Sequence, residues 1–299
     1  MIGTSKRGTG AAKVHSLITA KPLPQQETYL GLLPGFEDNK TAAKRQKLMC
    51  GRCEKGNEAE QKVGQRIAGC RKSVRCESGA CDLCLKLARE QIIPQASARM
   101  YSELKLAQSH WNKIGRALGQ KEPKLLSVTA VDYRLATPRG QLDAAFLNRR
   151  AEALATALGR STVLSSKVIF AGWDFSLNFP IPVGGGDPMW MPHFYMLMVG
   201  TRDEVKPIIG DMFPSGPGVD RPVKVNEVCC APGSVSYAIK SQFVRRTSYV
   251  GNNGRKATRI TGLKSDEKRE LAVLLDALGI GARLILKRLK ITRGRLTDA

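Results

Sequence analysis

Residues 168–178 read VIFAGWDFSLN and residues 190–200 read WMPHFYMLMVG. In the first, Trp173, Phe175 and Leu177 alternate with Asp174, Ser176 and Asn178, the period-two pattern of a strand with one apolar and one polar side. The second also reads as a strand, with His193 and Tyr195 on one face and Phe194 on the other. A Pro/Gly-rich link, residues 180–188, joins them. Upstream, residues 124–132 form a strand with Leu126, Val128 and Ala130 on one side and Ser127 and Thr129 on the other. Residues 143–158 form a helix closed by Gly159. Downstream, Thr201-x2-Glu204 has the spacing of a capping box, and Val205, Ile208, Ile209 and Met212 give the following helix an apolar side. Residues 222–230 read as a strand and residues 234–246 as a helix. The order strand, helix, strand, strand, helix, strand predicts an α+β protein. Its core is a ferredoxin-like (split βαβ) antiparallel sheet, with the first and third strands central and one sheet face open.

Five segments are expected along the chain: a flexible basic arm (1–45), a cysteine-rich zinc module (46–90), a helical linker with a break or kink at Pro94 (91–123), the core (124–250) and a basic amphipathic helical tail (251–299). The 299 residues carry 48 Lys+Arg against 26 Asp+Glu, a net charge of +22, which points to a polyanionic partner. The charge is uneven. Residues 1–75 hold 15 basic and 6 acidic side chains, residues 76–239 hold 18 and 15, and residues 240–299 hold 15 and 5. A nearly neutral centre therefore lies between two basic ends. No run of residues has the length of a membrane span, and no apolar signal core opens the chain, so a cytoplasmic location without membrane association is expected.

Six of the eight cysteines fall at Cys50, Cys53, Cys70, Cys76, Cys81 and Cys84. Cys-x2-Cys spacing lets two thiolates meet one tetrahedral zinc ion. Two ligand sets are open. The compact set is Cys70, Cys76, Cys81 and Cys84; the ribbon set takes Cys50 and Cys53 with Cys81 and Cys84. The flexible Gly79 and the helix start after Cys84 favour the compact set. Cys229 and Cys230 read as core or strand residues.

On a helical wheel, Val235, Ile239 and Phe243 form a buried side, and Tyr237 and Lys240 lie together on the other. A phenol is a weak nucleophile until a nearby cation favours its phenolate, and an ammonium can also neutralise a phosphate. Asp174 and His193 are the minimum donor pair for a divalent cation.

The stretches CRKSVRCESGACDLC (70–84), GWDFSLN with WMPHFYMLMV (172–199) and YAIK (237–240) together resemble the rolling-circle replication initiators. These are the His-hydrophobic-His group of single-strand DNA endonucleases, and the likeness is to their bacterial and plasmid-borne branch. It spans roughly residues 70–290. It implies metal-assisted nicking of single-stranded or origin DNA. Mg²⁺ or Mn²⁺ would sit at His193, Tyr237 would attack to leave a 5′-phosphotyrosyl link, and Lys240 would stand beside it. The second motif histidine is replaced by Tyr195, a poor ligand for Mg²⁺; Asp174 would have to complete the site. Arg245, Arg246, Lys287 and Arg288 are candidate nucleic-acid contacts. The alternative is a zinc-knuckle nucleic-acid-binding protein without catalysis.

Overall fold

The structure is a computed structural model that describes residues 56–70, 75–179, 187–250 and 253–299. The expected basic arm, and Cys50 and Cys53, lie outside them. The described residues form an α+β architecture with six α-helices and a mixed sheet. The helices are α1 (Glu58–Ala68), α2 (Asp82–His110), α3 (Ala144–Arg160), α4 (Arg202–Met212), α5 (Ala231–Ala238) and α6 (Ser265–Leu278). The strands are β1 (Lys124–Val131), β2 (Thr137–Pro138), β3 (Ile169–Phe179), β4 (Met189–Gly200), β5 (Val223–Glu227), β6 (Val244–Val250), β7 (Lys256–Gly262), β8 (Leu284–Lys287), β9 (Leu289–Thr292) and β10 (Arg295–Asp298).

The main sheet runs β5-β1-β4-β3-β6-β7, with β2 added on β4 and β8 on β3. All pairs are antiparallel except β3 with β6. The outer edge of β3 is shared end to end. β8 pairs with Ile169 to Gly172 and β6 with Ser176 to Phe179, so Trp173, Asp174 and Phe175 fall in a gap between the two. Capping follows the sequence: Thr201 and Glu204 form the expected box at α4, and Asp143 accepts from Ala145 and Phe146 N–H at α3.

Leu126, Val128, Ala130, Trp173, Phe175, Leu177, Phe194 and Met196 form one buried face with α3, α4 and α6. The Trp173 and Phe194 rings lie 4.1 Å apart at its centre. Burying one such aromatic side chain contributes about 2–3 kcal/mol. The opposite face was expected to be open, but it is covered. Leu125, Phe170, Leu197 and Val199 meet Leu87, Ile92 and Met100 of α2 and Val235 of α5. The cause is visible in β4, where nearly every residue is buried on either side.

Four further expectations are corrected. The helix of residues 234–246 stops at Ala238, and Val244 begins β6, because its Val, Thr and Tyr residues find partners on β3 and β7. The C-terminal tail is α-helical only in α6, which is capped by Gly279 with φ 64°, and a single 3-10 turn follows at Gly281–Arg283. β8 then pairs with β3, and β9 and β10 form a hairpin closed by Arg293 (φ 50°) and Gly294 (φ 75°), the positive-φ pair that a tight two-residue turn requires. Cys229 and Cys230 are exposed in the connection between β5 and α5, since β5 is an edge strand with one buried residue. α2 continues through Pro94, which lies on its exposed side, where water can satisfy the carbonyl that proline leaves unpaired.

Candidate functional site

Asp174 and His193 are direct cross-strand partners on β3 and β4, and Gly172 pairs with Tyr195 two residues away. Asp174, His193 and Tyr195 therefore share the face covered by α5. The end of that helix lies directly on β3: a Cβ on Gly172 would stand 2.2 Å from the Ala238 carbonyl oxygen. Only glycine permits this approach, and it brings Tyr237 and Lys240 down onto Asp174.

The carboxylate of Asp174 is buried and accepts from four donors. Oδ1 receives Lys240 Nζ at 2.6 Å and the Phe175 backbone N–H at 2.7 Å. Oδ2 receives the Tyr237 hydroxyl at 3.0 Å and faces His193 Nε2 at 3.0 Å. Lys240 Nζ also donates to the Tyr237 oxygen at 3.2 Å and lies 4.3 Å from its ring centre. The other imidazole nitrogen, His193 Nδ1, faces the Met191 carbonyl at 3.0 Å. The Tyr195 ring leans on Tyr237 at 4.6 Å. Tyr237 and His193 each reach the same carboxylate oxygen at 3.0 Å, so the two side chains converge on Asp174.

Burial alone would raise the Asp174 pKa. The hydrogen bond and charge of His193, then the charge of Lys240, outweigh it and hold the carboxyl well below the usual carboxylate range. Burial pushes the Tyr237 phenol up, the Asp174 charge and hydrogen bond add to that, and Arg246 opposes it. Tyr237 is 40% exposed, whereas Asp174 and His193 are almost fully buried. A large ligand can touch the phenol and reach Lys240 beside it; the carboxylate and imidazole lie beneath.

Arg283 was not foreseen. Burial pushes its guanidinium down to about 10, against the pull of the Asp174 charge, so it remains charged at neutral pH. Nη1 donates to Gly79 O at 3.0 Å and Nη2 to Lys240 O at 2.6 Å, joining the cysteine module to the tyrosine site. No local pattern signals it, because its partners lie 204 and 43 residues away.

The other expected residues are distributed more widely. Arg245 is ion-paired with the buried Glu267 at 3.1 Å and stacks on Phe179, which removes it from the expected nucleic-acid surface. Arg246 takes the opposite strand face, and its Nε makes no hydrogen bond among the described residues. Lys287 is half-buried on β8, and Arg288 donates to Ser166 O at 2.8 Å.

Cys70, Cys76, Cys81 and Cys84 form the cluster that the compact set predicts, their sulfurs all within 4.8 Å of one another. A tetrahedral zinc with bonds near 2.3 Å needs sulfurs about 3.8 Å apart. The Cys70–Cys84 and Cys76–Cys84 pairs stand at 3.5 and 3.7 Å. Cys81 and Cys84 begin α2, whose N-terminal dipole favours thiolates. The three guanidinium nitrogens of Arg75 are buried without a hydrogen-bond partner among the described residues, next in sequence to Cys76. A four-thiolate metal centre carries a net negative charge that suits such a neighbour. The four cysteines fit a metal ion.

Among the described residues, no helix is long and apolar enough to cross a membrane. No family model matches this chain, and no curated protein or solved structure is similar to it.

Proposed function

We propose that this protein binds single-stranded or origin DNA and transfers a DNA strand to Tyr237, as a replication initiator does. The observation that carries the proposal is Tyr237: the residue is 40% exposed, and its hydroxyl donates to the Asp174 carboxylate at 3.0 Å and accepts from Lys240 at 3.2 Å. The phenol oxygen attacks the phosphorus, the P–O3′ bond breaks, and the phenol proton passes to Asp174. The 3′-oxygen takes a proton from solvent, and the 5′-phosphate remains on Tyr237. An arriving phosphate draws Lys240 toward itself. That loosens the ion pair holding Asp174 ionised and makes the carboxylate a better base.

The strand order β5-β1-β4-β3, antiparallel throughout, supports a ferredoxin-like reading of the core. The β6–β7 ribbon, residues 244–262, supports the nucleic-acid partner: besides the ion-paired Arg245 it holds Arg246, Arg255, Lys256 and Arg259 and no acidic residue. Arg255 and Arg259 are exposed beside Tyr249 and Ile260. A two-stranded ribbon of this charge suits a nucleic-acid backbone or groove. The cysteine cluster holds structural zinc in this proposal.

A second reading, binding without catalysis, is favoured by the depressed Asp174 and raised Tyr237 pKa, which leave the resting phenol protonated. Incubation with end-labelled single-stranded DNA, followed by a denaturing gel, separates the two. A covalent adduct that disappears in Tyr237→Phe supports transfer. Tight binding without an adduct leaves the second reading.

A further inference from the structure

The resemblance assigns a Mg²⁺ or Mn²⁺ ion to His193, with Asp174 and Tyr195 to complete it. The residues present do not fit that ion. A carboxylate offers about four lone-pair positions. At Asp174 all four are taken, by Lys240 Nζ, Phe175 N–H, the Tyr237 hydroxyl and the His193 ring. His193 has no free nitrogen either, since Nδ1 faces the Met191 carbonyl and Nε2 faces Asp174. Tyr195 contributes a phenol whose ring lies against Tyr237. Among the described residues the cysteine cluster alone gathers three or more metal-binding side chains. Asp174 and His193 are also almost fully buried beside the tyrosine.

We infer that the Tyr237 site operates without a divalent cation, the ammonium of Lys240 standing where the resemblance would put the metal's charge. This rests on the strand-transfer proposal for the chemistry, but the absence of a metal site is independently measurable. Lys240 touches both the attacking oxygen and the carboxylate, so it can neutralise an incoming phosphate at the point of attack. His193, held from both ring nitrogens, is a positioning residue that fixes the Asp174 carboxylate under the phenol.

The test uses the full chain, passed through metal-chelating resin, with metal analysis showing that the cluster's own metal is retained. Two readings are taken. Mn²⁺ alone is titrated and followed by electron paramagnetic resonance, and adduct formation with labelled single-stranded DNA is timed with and without added Mn²⁺. The inference expects no Mn²⁺ bound at sub-millimolar concentration and an adduct rate that changes less than about two-fold. In Lys240→Ala, the vacated Oδ1 should make the remaining activity rise at least ten-fold with Mn²⁺. One Mn²⁺ bound per chain and lost in Asp174→Asn, or an adduct that forms only with Mn²⁺, overturns the inference and leaves the tyrosine chemistry standing. If no adduct forms under any condition, the strand-transfer proposal fails. The Mn²⁺ titration then decides the inference by itself: no ion bound supports it, and one ion bound at Asp174 overturns it.

Discussion

Replacing Gly172 with alanine tests whether the contact between α5 and β3 builds the site. The new methyl would lie 2.2 Å from the Ala238 carbonyl oxygen and 3.0 Å from its carbon. An ordinary C···O contact is about 3.3 Å or longer, so the end of α5 must lift by about 1 Å. Tyr237 and Lys240 flank Ala238 and move with it. Their bonds to Asp174, at 3.0 and 2.6 Å, do not survive a shift of that size. Overpacking of this kind costs about 1–3 kcal/mol, or about 5 °C in Tm for a protein of this size. Misplacing a reacting group by about 1 Å costs on the order of 100-fold in rate. Thermal unfolding and the rate of adduct formation are measured together. Gly159, whose added Cβ would meet nothing within 4 Å, provides the control in Gly159→Ala. A Gly172→Ala protein with unchanged Tm and unchanged adduct rate refutes the proposed coupling of helix and strand.

Cys84→Ser should lower the metal content from about one zinc per chain and destabilise residues 75–84, because four thiolates are needed to close the site; metal analysis and limited proteolysis check both. It should also slow adduct formation, since Gly79 in the same loop holds Arg283 and through it Lys240. Asp174→Asn should cost about 3 kcal/mol at pH 7, because it strands buried positive charge. The depressed folded-state pKa of Asp174 stabilises the protein above the ordinary carboxylate range, and this is lost as pH falls below about 4. Denaturant titrations from pH 2 to 7 should therefore show a flatter acid limb in Asp174→Asn. Arg259→Glu on the exposed β7 should weaken DNA binding uniformly across sequences and reduce the slope of log K against log salt by about 1 or more. Tyr249→Phe should be nearly silent, as it keeps the exposed ring and loses only the hydroxyl.

The alternations around Trp173 and Phe194 locate the central strands to within a residue, and the Thr201–Glu204 pair marks the start of α4. The cysteine spacing leaves two ligand sets open, and Gly79 with the helix start after Cys84 favours the four sulfurs that meet. Local pattern succeeds there because one period or one turn sets the geometry. It fails where a partner distant in sequence decides. Val244–Val250 is a strand because β3 and β7 pair with it, although the residues before it continue a helical wheel. Leu284 and Ile285 suggest a helix, yet the free edge of β3 draws them into β8. Two signs of the true arrangement are nonetheless present in the sequence. Leu197 and Val199 on the second face of β4 require a cover, and Arg293-Gly294 is a turn pair. The motifs single out Asp174, His193, Tyr237 and Lys240 but leave their convergence open; both it and the saturation of the Asp174 oxygens depend on a helix end resting on one glycine.

The most direct test maps the attachment site after reaction with single-stranded DNA. Nuclease and trypsin digestion followed by mass spectrometry examines the peptide of residues 225–240, which contains Tyr237 and ends at Lys240. The account predicts a nucleotide remnant linked through its 5′-phosphate to Tyr237, formed in wild type and absent from Tyr237→Phe. A remnant on any other residue, or an adduct of undiminished yield in Tyr237→Phe, would contradict it.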